Sequence, residues 1–182
     1  MINLALFLAF KLENSEKQKL KYPLDILKRN SVCDEYEDIS AFHITLKKIS
    51  DDDTTHDEVI NILNTWHDLY ARGPITVYAD KLCRFENNPN NTVDWIGMSQ
   101  TLPLYRIKSE IEKVAKELKY NMCEDNFSYT PHITCGFNVK YIDNFDKNFI
   151  PIPIEIRSIV LWAYDHMLRN VHIASTMYEV LI

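Results

Sequence analysis

Ala41-Phe42-His43-Ile44-Thr45-Leu46 and Tyr129-Thr130-Pro131-His132-Ile133-Thr134 carry the same tripeptide, His-Ile-Thr, once in the first third of the chain and once in the last. Both lie in runs that read as strands, 41–49 and 129–137. Side chains alternate along a strand, so His and Thr at i and i+2 share a face while Ile points the other way. Each copy therefore offers an imidazole and a hydroxyl on one side and a core-facing Ile on the other. Brought together, the two copies would supply two proton carriers and two hydroxyl donors around a small anion. That is the outline of a metal-free phosphate-chemistry site.

Outward from the first motif, 55–72 predicts a helix. Thr55 and Glu58 make a capping box, Val59, Ile62, Leu63, Trp66, Leu69 and Tyr70 fall on one face, and Gly73-Pro74 ends it. His56 and His67 read as surface or boundary residues of this helix. Ahead of the second motif, Thr101-Leu102-Pro103 opens a helix in which Leu104, Ile107, Ile111, Val114 and Leu118 form the stripe of a helix lying on a sheet. Each helix neighbours one motif and is expected to cover the back of that motif's own sheet. Further strands are expected at 2–10, 75–82, 93–99, 154–164 and 175–182. The stretch 13–30 reads as helical turns interrupted near Pro23, 34–38 as an acidic solvated loop, 87–91 as a polar turn and 143–153 as a loop. A turn at 165–172 holds His166, Arg169, Asn170 and His172. The pattern predicts an α+β fold with mostly antiparallel sheets and helices on their outer faces.

Residues 1–182 read as one domain, or one domain of two lobes, long enough to bury a full core. A net charge of −6 argues against a broad grip on long duplex nucleic acid, which calls for a basic face. It leaves room for a small nucleotide or an RNA end. Cys33, Cys83, Cys123 and Cys135 form no C-x-x-C pair and read as reduced thiols of a cytoplasmic protein. The apolar opening stretch is too short to span a bilayer, which takes roughly 20 apolar residues, so no membrane association is expected. Only Gly73, Gly97 and Gly136 are glycine, so no glycine-rich phosphate loop can form.

Zinc ligation would want His-x-His or His-Glu-x-x-His, and serine-hydrolase chemistry a Gly-x-Ser-x-Gly elbow; neither pattern occurs. Paired histidine acid–base catalysis fits what is present. An imidazole titrates near neutrality, so one ring can take a proton from the attacking oxygen while the other gives one to the leaving oxygen. The threonine hydroxyls can stabilise charge on the non-bridging oxygens. The competing reading is a pair of half-buried strand histidines satisfied by hydrogen bonds.

These features resemble the 2H phosphoesterases, the superfamily containing LigT-type RNA 2′,3′-cyclic phosphodiesterases and 2′,5′-phosphodiesterases. The resemblance rests on His43-Ile44-Thr45-Leu46 and Pro131-His132-Ile133-Thr134, on Phe85-Glu86-Asn87-Asn88-Pro89 leading to Val93-Asp94-Trp95-Ile96-Gly97, on Ile159-Val160-Leu161-Trp162, and on Tyr178-Glu179-Val180-Leu181. It implies a bilobal fold, two pseudo-symmetric antiparallel sheets facing a central cleft with helices outside. It also implies hydrolysis of a 2′–5′, 2′,3′-cyclic or cyclic-oligonucleotide phosphodiester with no cofactor and no metal, or RNA-end processing of the LigT type. A non-hydrolysing nucleotide sponge is the alternative from another class. By the resemblance, His43 and His132 are the acid–base pair, and Thr45 and Thr134 bind phosphate. Viral members of the superfamily degrade 2′,5′-oligoadenylates or cyclic signals of host defence, and this chain is similar to them; for a viral protein the compartment would be the host cytoplasm. LigT-type proteins often carry Arg three residues after the second Thr. Here that residue is Phe137, which could stack on a base or fill the core. Tyr129, Trp162 and Tyr164 are further base-stacking candidates, and Arg84, Arg169 and His166 candidate phosphate or base contacts.

Overall fold

Alternating apolar residues along eight of the described strands build two four-stranded sheets. The computed structural model describes residues 4–33, 35–49, 55–86, 92–120, 122, 128–165 and 175–182. In chain order the elements are β1 (Leu4–Lys11), α1 (Asn14–Lys19), α2 (Lys21–Arg29), β2 (Ser31–Val32), a 3₁₀ turn (Ile39–Ala41), β3 (His43–Ile49) and α3 (His56–Tyr70). There follow β4 (Ile75–Phe85), β5 (Val93–Ser99), α4 (Leu102–Glu117), β6 (Ile133–Phe137), β7 (Lys140–Tyr141), β8 (Asn148–Ile156), β9 (Ser158–Asp165) and β10 (Ser175–Leu181). One sheet has the order β10-β9-β1-β3 and the other β6-β5-β4-β8, with β2 and β7 as a small ribbon. Every pairing in the two large sheets is antiparallel. The α+β expectation holds. Each His-Ile-Thr motif lies on an edge strand, β3 in one sheet and β6 in the other, and these two strands approach each other.

The isoleucine of each motif anchors its strand, for Ile44 and Ile133 are wholly buried in the core. That core gathers Leu8, Phe10 and Leu46 of the first sheet, Val77, Ile96 and Ile154 of the second, and the apolar stripes of the helices. On α3, Val59, Ile62, Leu63 and Trp66 are buried, and Thr55 and Glu58 form the reciprocal capping box. Leu69, expected on the same face, is exposed. The helix stops at Ala71, which is already extended, two residues before Gly73 with its positive φ of 96°.

Other expectations change as well. First, α4 does not cover the sheet of the motif that follows it: it packs on α3 and on β3, while α1 and α2 back the second sheet through β8 and β4. Glu16 on α1 fastens this cover by accepting the Glu155 N–H of β8 at 2.9 Å. Second, 143–153 is not a loop throughout, because β8 starts at Asn148. Pro151 and Pro153 are accommodated because β8 is an edge strand, where a missing N–H on the outer side costs no ladder bond. Third, 154–164 is not one strand: the chain breaks at Arg157 and passes from the second sheet into the first. Fourth, the second motif's strand begins at Ile133, not at residue 129, and Pro131 just before it has no N–H to give a ladder. The turn expected at 87–91 and Asp34, Cys123, His166, Arg169, Asn170 and His172 lie outside the described residues.

The second sheet also carries a buried ion pair. Asp94, 1% exposed, accepts from Arg84 Nε at 3.1 Å and Nη2 at 2.9 Å, and the Tyr141 hydroxyl donates to it as well. Burial and the adjacent carboxylate raise the Tyr141 pKa, which keeps the phenol protonated. Arg84 Nη2 further donates to the Val139 carbonyl at 2.6 Å, and its guanidinium lies 4.0 Å from the Tyr141 ring centre. Removing one partner of a buried pair strands the other charge. Asp94→Ala should therefore lower unfolding stability by about 3–5 kcal/mol in urea titrations. A loss below about 1 kcal/mol would count against this role.

Candidate functional site

His43 opens β3, and His132 sits one residue before β6, so the carbonyls two positions back fall outside the sheet ladders and remain free to accept. Each histidine uses that carbonyl: His43 Nδ1 lies 2.8 Å from the Ala41 oxygen and His132 Nδ1 2.7 Å from the Thr130 oxygen. A carbonyl can only accept, so both Nδ1 atoms carry a proton. In the neutral ring this leaves Nε2 as the basic nitrogen. The 3₁₀ turn that presents Ala41 is itself capped by Asp38, whose carboxylate accepts the Ser40 N–H at 2.7 Å.

Two aromatic rings brace each imidazole. Phe7 on β1 and Trp162 on β9 stand 5.5 and 5.2 Å from the His43 ring centre. Phe85 on β4 and Trp95 on β5 stand 5.0 and 5.7 Å from that of His132. The supporting rings pack on each other, Phe7 edge-on to Trp162 at 5.5 Å and Phe85 stacked on Trp95 at 4.7 Å. In both lobes the braces come from the neighbouring strand and the one beyond it. Rings packed this way exclude water, and desolvation disfavours imidazolium. Burial lowers the pKa of His43 below the usual histidine range; the Ala41 carbonyl opposes this, and the charges of His132 and Lys17 add to it. Burial likewise lowers the pKa of His132 against the opposing Thr130 carbonyl.

A cavity of about 240 Å³ opens between the motif strands, lined by Phe7, Glu37, Ala41, His43, Thr45, Lys48, Thr134 and Phe137. It joins the two threonines and His43. His132 is not a lining residue, but it lies two positions from Thr134 and close enough for its charge to act on His43. Phe137 is 46% exposed and faces the cavity rather than the core. Trp162 belongs to the His43 brace, and its indole N–H donates to Thr176 Oγ1 at 2.9 Å. Tyr164 is on β9 with its backbone opposite Ala5. Tyr129 lies elsewhere: it packs on Tyr105 at 5.3 Å and beneath Lys108 of α4, because 128–132 is not a strand and the alternation expected there does not operate. Arg84 is committed to Asp94 rather than to the cavity. Among the described residues no group of three His, Cys, Asp or Glu side chains could hold a metal ion, and no helix is long and apolar enough to cross a membrane.

Sequence reading passed over Phe7, Lys48 and Glu37. Phe7 was hidden in a uniformly apolar strand, and Glu37 in an acidic stretch that looked solvated. For Lys48, strict alternation from His43 and Thr45 points to Lys47 instead.

Solved structures share this fold. Escherichia coli LigT complexed with 3′-AMP superposes with a TM-score of 0.73 over 98% of this chain and 97% of its own, at 14% identity. The fold is that of LigT. The same protein complexed with phosphate gives 0.70 at 13% identity over 98% and 96% of the two chains. TT0787 of Thermus thermophilus gives 0.64 at 14% identity over 97% of each. No protein-family model matches the sequence, and no curated protein matches it. The likeness to LigT is thus one of fold, reached with little common sequence.

The two carbonyl bonds make a spectroscopic prediction. Long-range ¹H–¹⁵N correlation spectra at pH 7.5 should assign the Nδ1–H tautomer to both His43 and His132. Finding the Nε2–H tautomer at either ring would contradict the geometry.

Proposed function

We propose that this chain is a metal-independent phosphodiesterase of the 2H phosphoesterase type, acting in the cytoplasm on a small nucleotide phosphodiester: a 2′,3′-cyclic, 2′–5′-linked or cyclic-oligonucleotide substrate. The observation that carries the reading is the matched pair of histidines, each held by Nδ1 on its own backbone so that Nε2 is the nitrogen left to work, beside a cavity that both motif threonines line. The LigT fold supports the same reading, since LigT is known bound to 3′-AMP and to phosphate.

In this reading one imidazole is neutral and the other protonated. The neutral Nε2 takes a proton from the attacking water, and the imidazolium Nε2 gives one to the departing ribose oxygen. Lys17 adds positive charge near His43, which favours His43 as the base and leaves the proton with His132. Thr45 and Thr134 donate to the non-bridging oxygens, where charge accumulates as the water attacks. Attack and departure occur on opposite sides of phosphorus, which suits two rings delivered by two separate lobes.

His43→Ala and His132→Ala should each lower kcat by about 10²–10⁴-fold while 3′-AMP still binds, and EDTA should leave turnover unchanged. The assay is a panel of 2′,3′-cyclic nucleotides, 2′,5′-oligoadenylate and cyclic di- and trinucleotides, with products identified by mass spectrometry. Full activity in either variant would sink the reading, and recovery of every ligand intact would replace it with a nucleotide-binding protein.

The pH profile gives a second test. The base must lose its proton and the acid must keep one, and both free-enzyme pKa values lie below the usual histidine value of about 6.5. The kcat/KM optimum should therefore fall on the acidic side of that value, with activity already declining at pH 7. A bound phosphodiester anion favours imidazolium, so the optimum in kcat should lie higher. A kcat/KM optimum on the alkaline side of neutrality would contradict the assignment.

A further inference from the structure

Both motif strands bulge just past their threonine. In β3, Thr45 pairs with Ala9 and Lys47 with Leu8, which makes Leu46 the extra residue. In β6, Thr134 pairs with Trp95 and Gly136 with Asp94, which makes Cys135 the extra residue. In an unbroken strand the residue two past each threonine would share its face. The bulge reverses that alternation. Lys47 is turned inward at 4% exposure, where it pairs with Glu112 at 3.0 Å, and Gly136 is buried. The residue three past each threonine, Lys48 in one lobe and Phe137 in the other, comes to line the cavity instead. The two walls are equivalent in position and opposite in chemistry, a cation facing an aromatic ring. Glu37 stands on the aromatic side, its N–H donating to the Cys135 carbonyl of the bulge at 2.8 Å.

We propose that Lys48 and Phe137 make the cavity directional: the Lys48 wall takes the phosphate, and the Phe137 wall takes the nucleoside by stacking on its base. A cation on one wall and an aromatic ring on the other orient a phosphorylated nucleoside in the cavity. The inference rests on the reading of this cavity as the phosphodiester site, and it adds which wall receives which half of the ligand.

Titration calorimetry with inorganic phosphate, adenosine and 3′-AMP tests it without turnover. Phe137→Leu should weaken 3′-AMP and adenosine by about five- to a hundredfold and leave phosphate unchanged, and Phe137→Trp should restore them. Lys48→Met should weaken phosphate and 3′-AMP by roughly tenfold and leave adenosine unchanged. Both side chains face solvent, so neither change opens a cavity in the core. Equal losses on all three probes in either variant, no loss of 3′-AMP in Phe137→Leu, or no binding of any probe by the wild-type protein would overturn the proposal. If this binding pattern holds in a protein that hydrolyses nothing, the proposed activity fails and the directionality stands. Turnover without the pattern leaves the activity standing and removes the directionality.

Discussion

An imidazole that donates its Nδ1 proton to its own main chain has only Nε2 left for other work, and this chain imposes that constraint twice. The bond costs little to build because each histidine stands at the entry of an edge strand, where the carbonyl two residues back is not claimed by a ladder. The structure around them holds those rings. Ile44 and Ile133 pin the backbone into the core, and paired aromatic rings fix each imidazole from the side. The same rings keep water away, which holds both histidines readily deprotonated in the free protein. Positioning and pKa tuning are thus two results of one packing arrangement.

The lobes are alike in architecture and unlike in detail. Each has an edge strand bearing the motif, a bulge after its threonine and a Phe–Trp pair behind its histidine. The helical covers are exchanged, with α1 and α2 leaving the first sheet to back the second and α4 leaving the second to pack on the first. That exchange couples the lobes through one hydrophobic core. Relative movement of the two motif strands is then resisted by core packing as well as by loops, which suits a site assembled from both sides.

Legibility in the sequence followed the range of the interaction concerned. The capping box of α3, the stripe of α4 and the burial of both motif isoleucines depend on residues within a turn or two of one another, and pattern reading found them. The β8–β9 division escaped because the two strands follow each other with only Arg157 between them, and only the sheet order assigns them to different sheets. Tyr129 was a stacking candidate on a strand face that does not extend to it, since the strand starts only after Pro131. Arg84 looked available for phosphate because its partner Asp94 is brought to it by strand pairing and Tyr141 by a later segment.

By itself the sequence determined the alternation inside each His-Ile-Thr: an imidazole and a hydroxyl on one side, an anchor on the other. That much is a property of three consecutive residues in extended backbone. Which rings stand behind the histidines, and that the two copies share a cavity, were decided by the order of strands in two separate sheets. Tertiary structure also chose Lys48 over Lys47 and turned Phe137, a candidate from the resemblance, to the cavity rather than the core, because a bulge is a mismatch between partner strands and is written in neither strand alone.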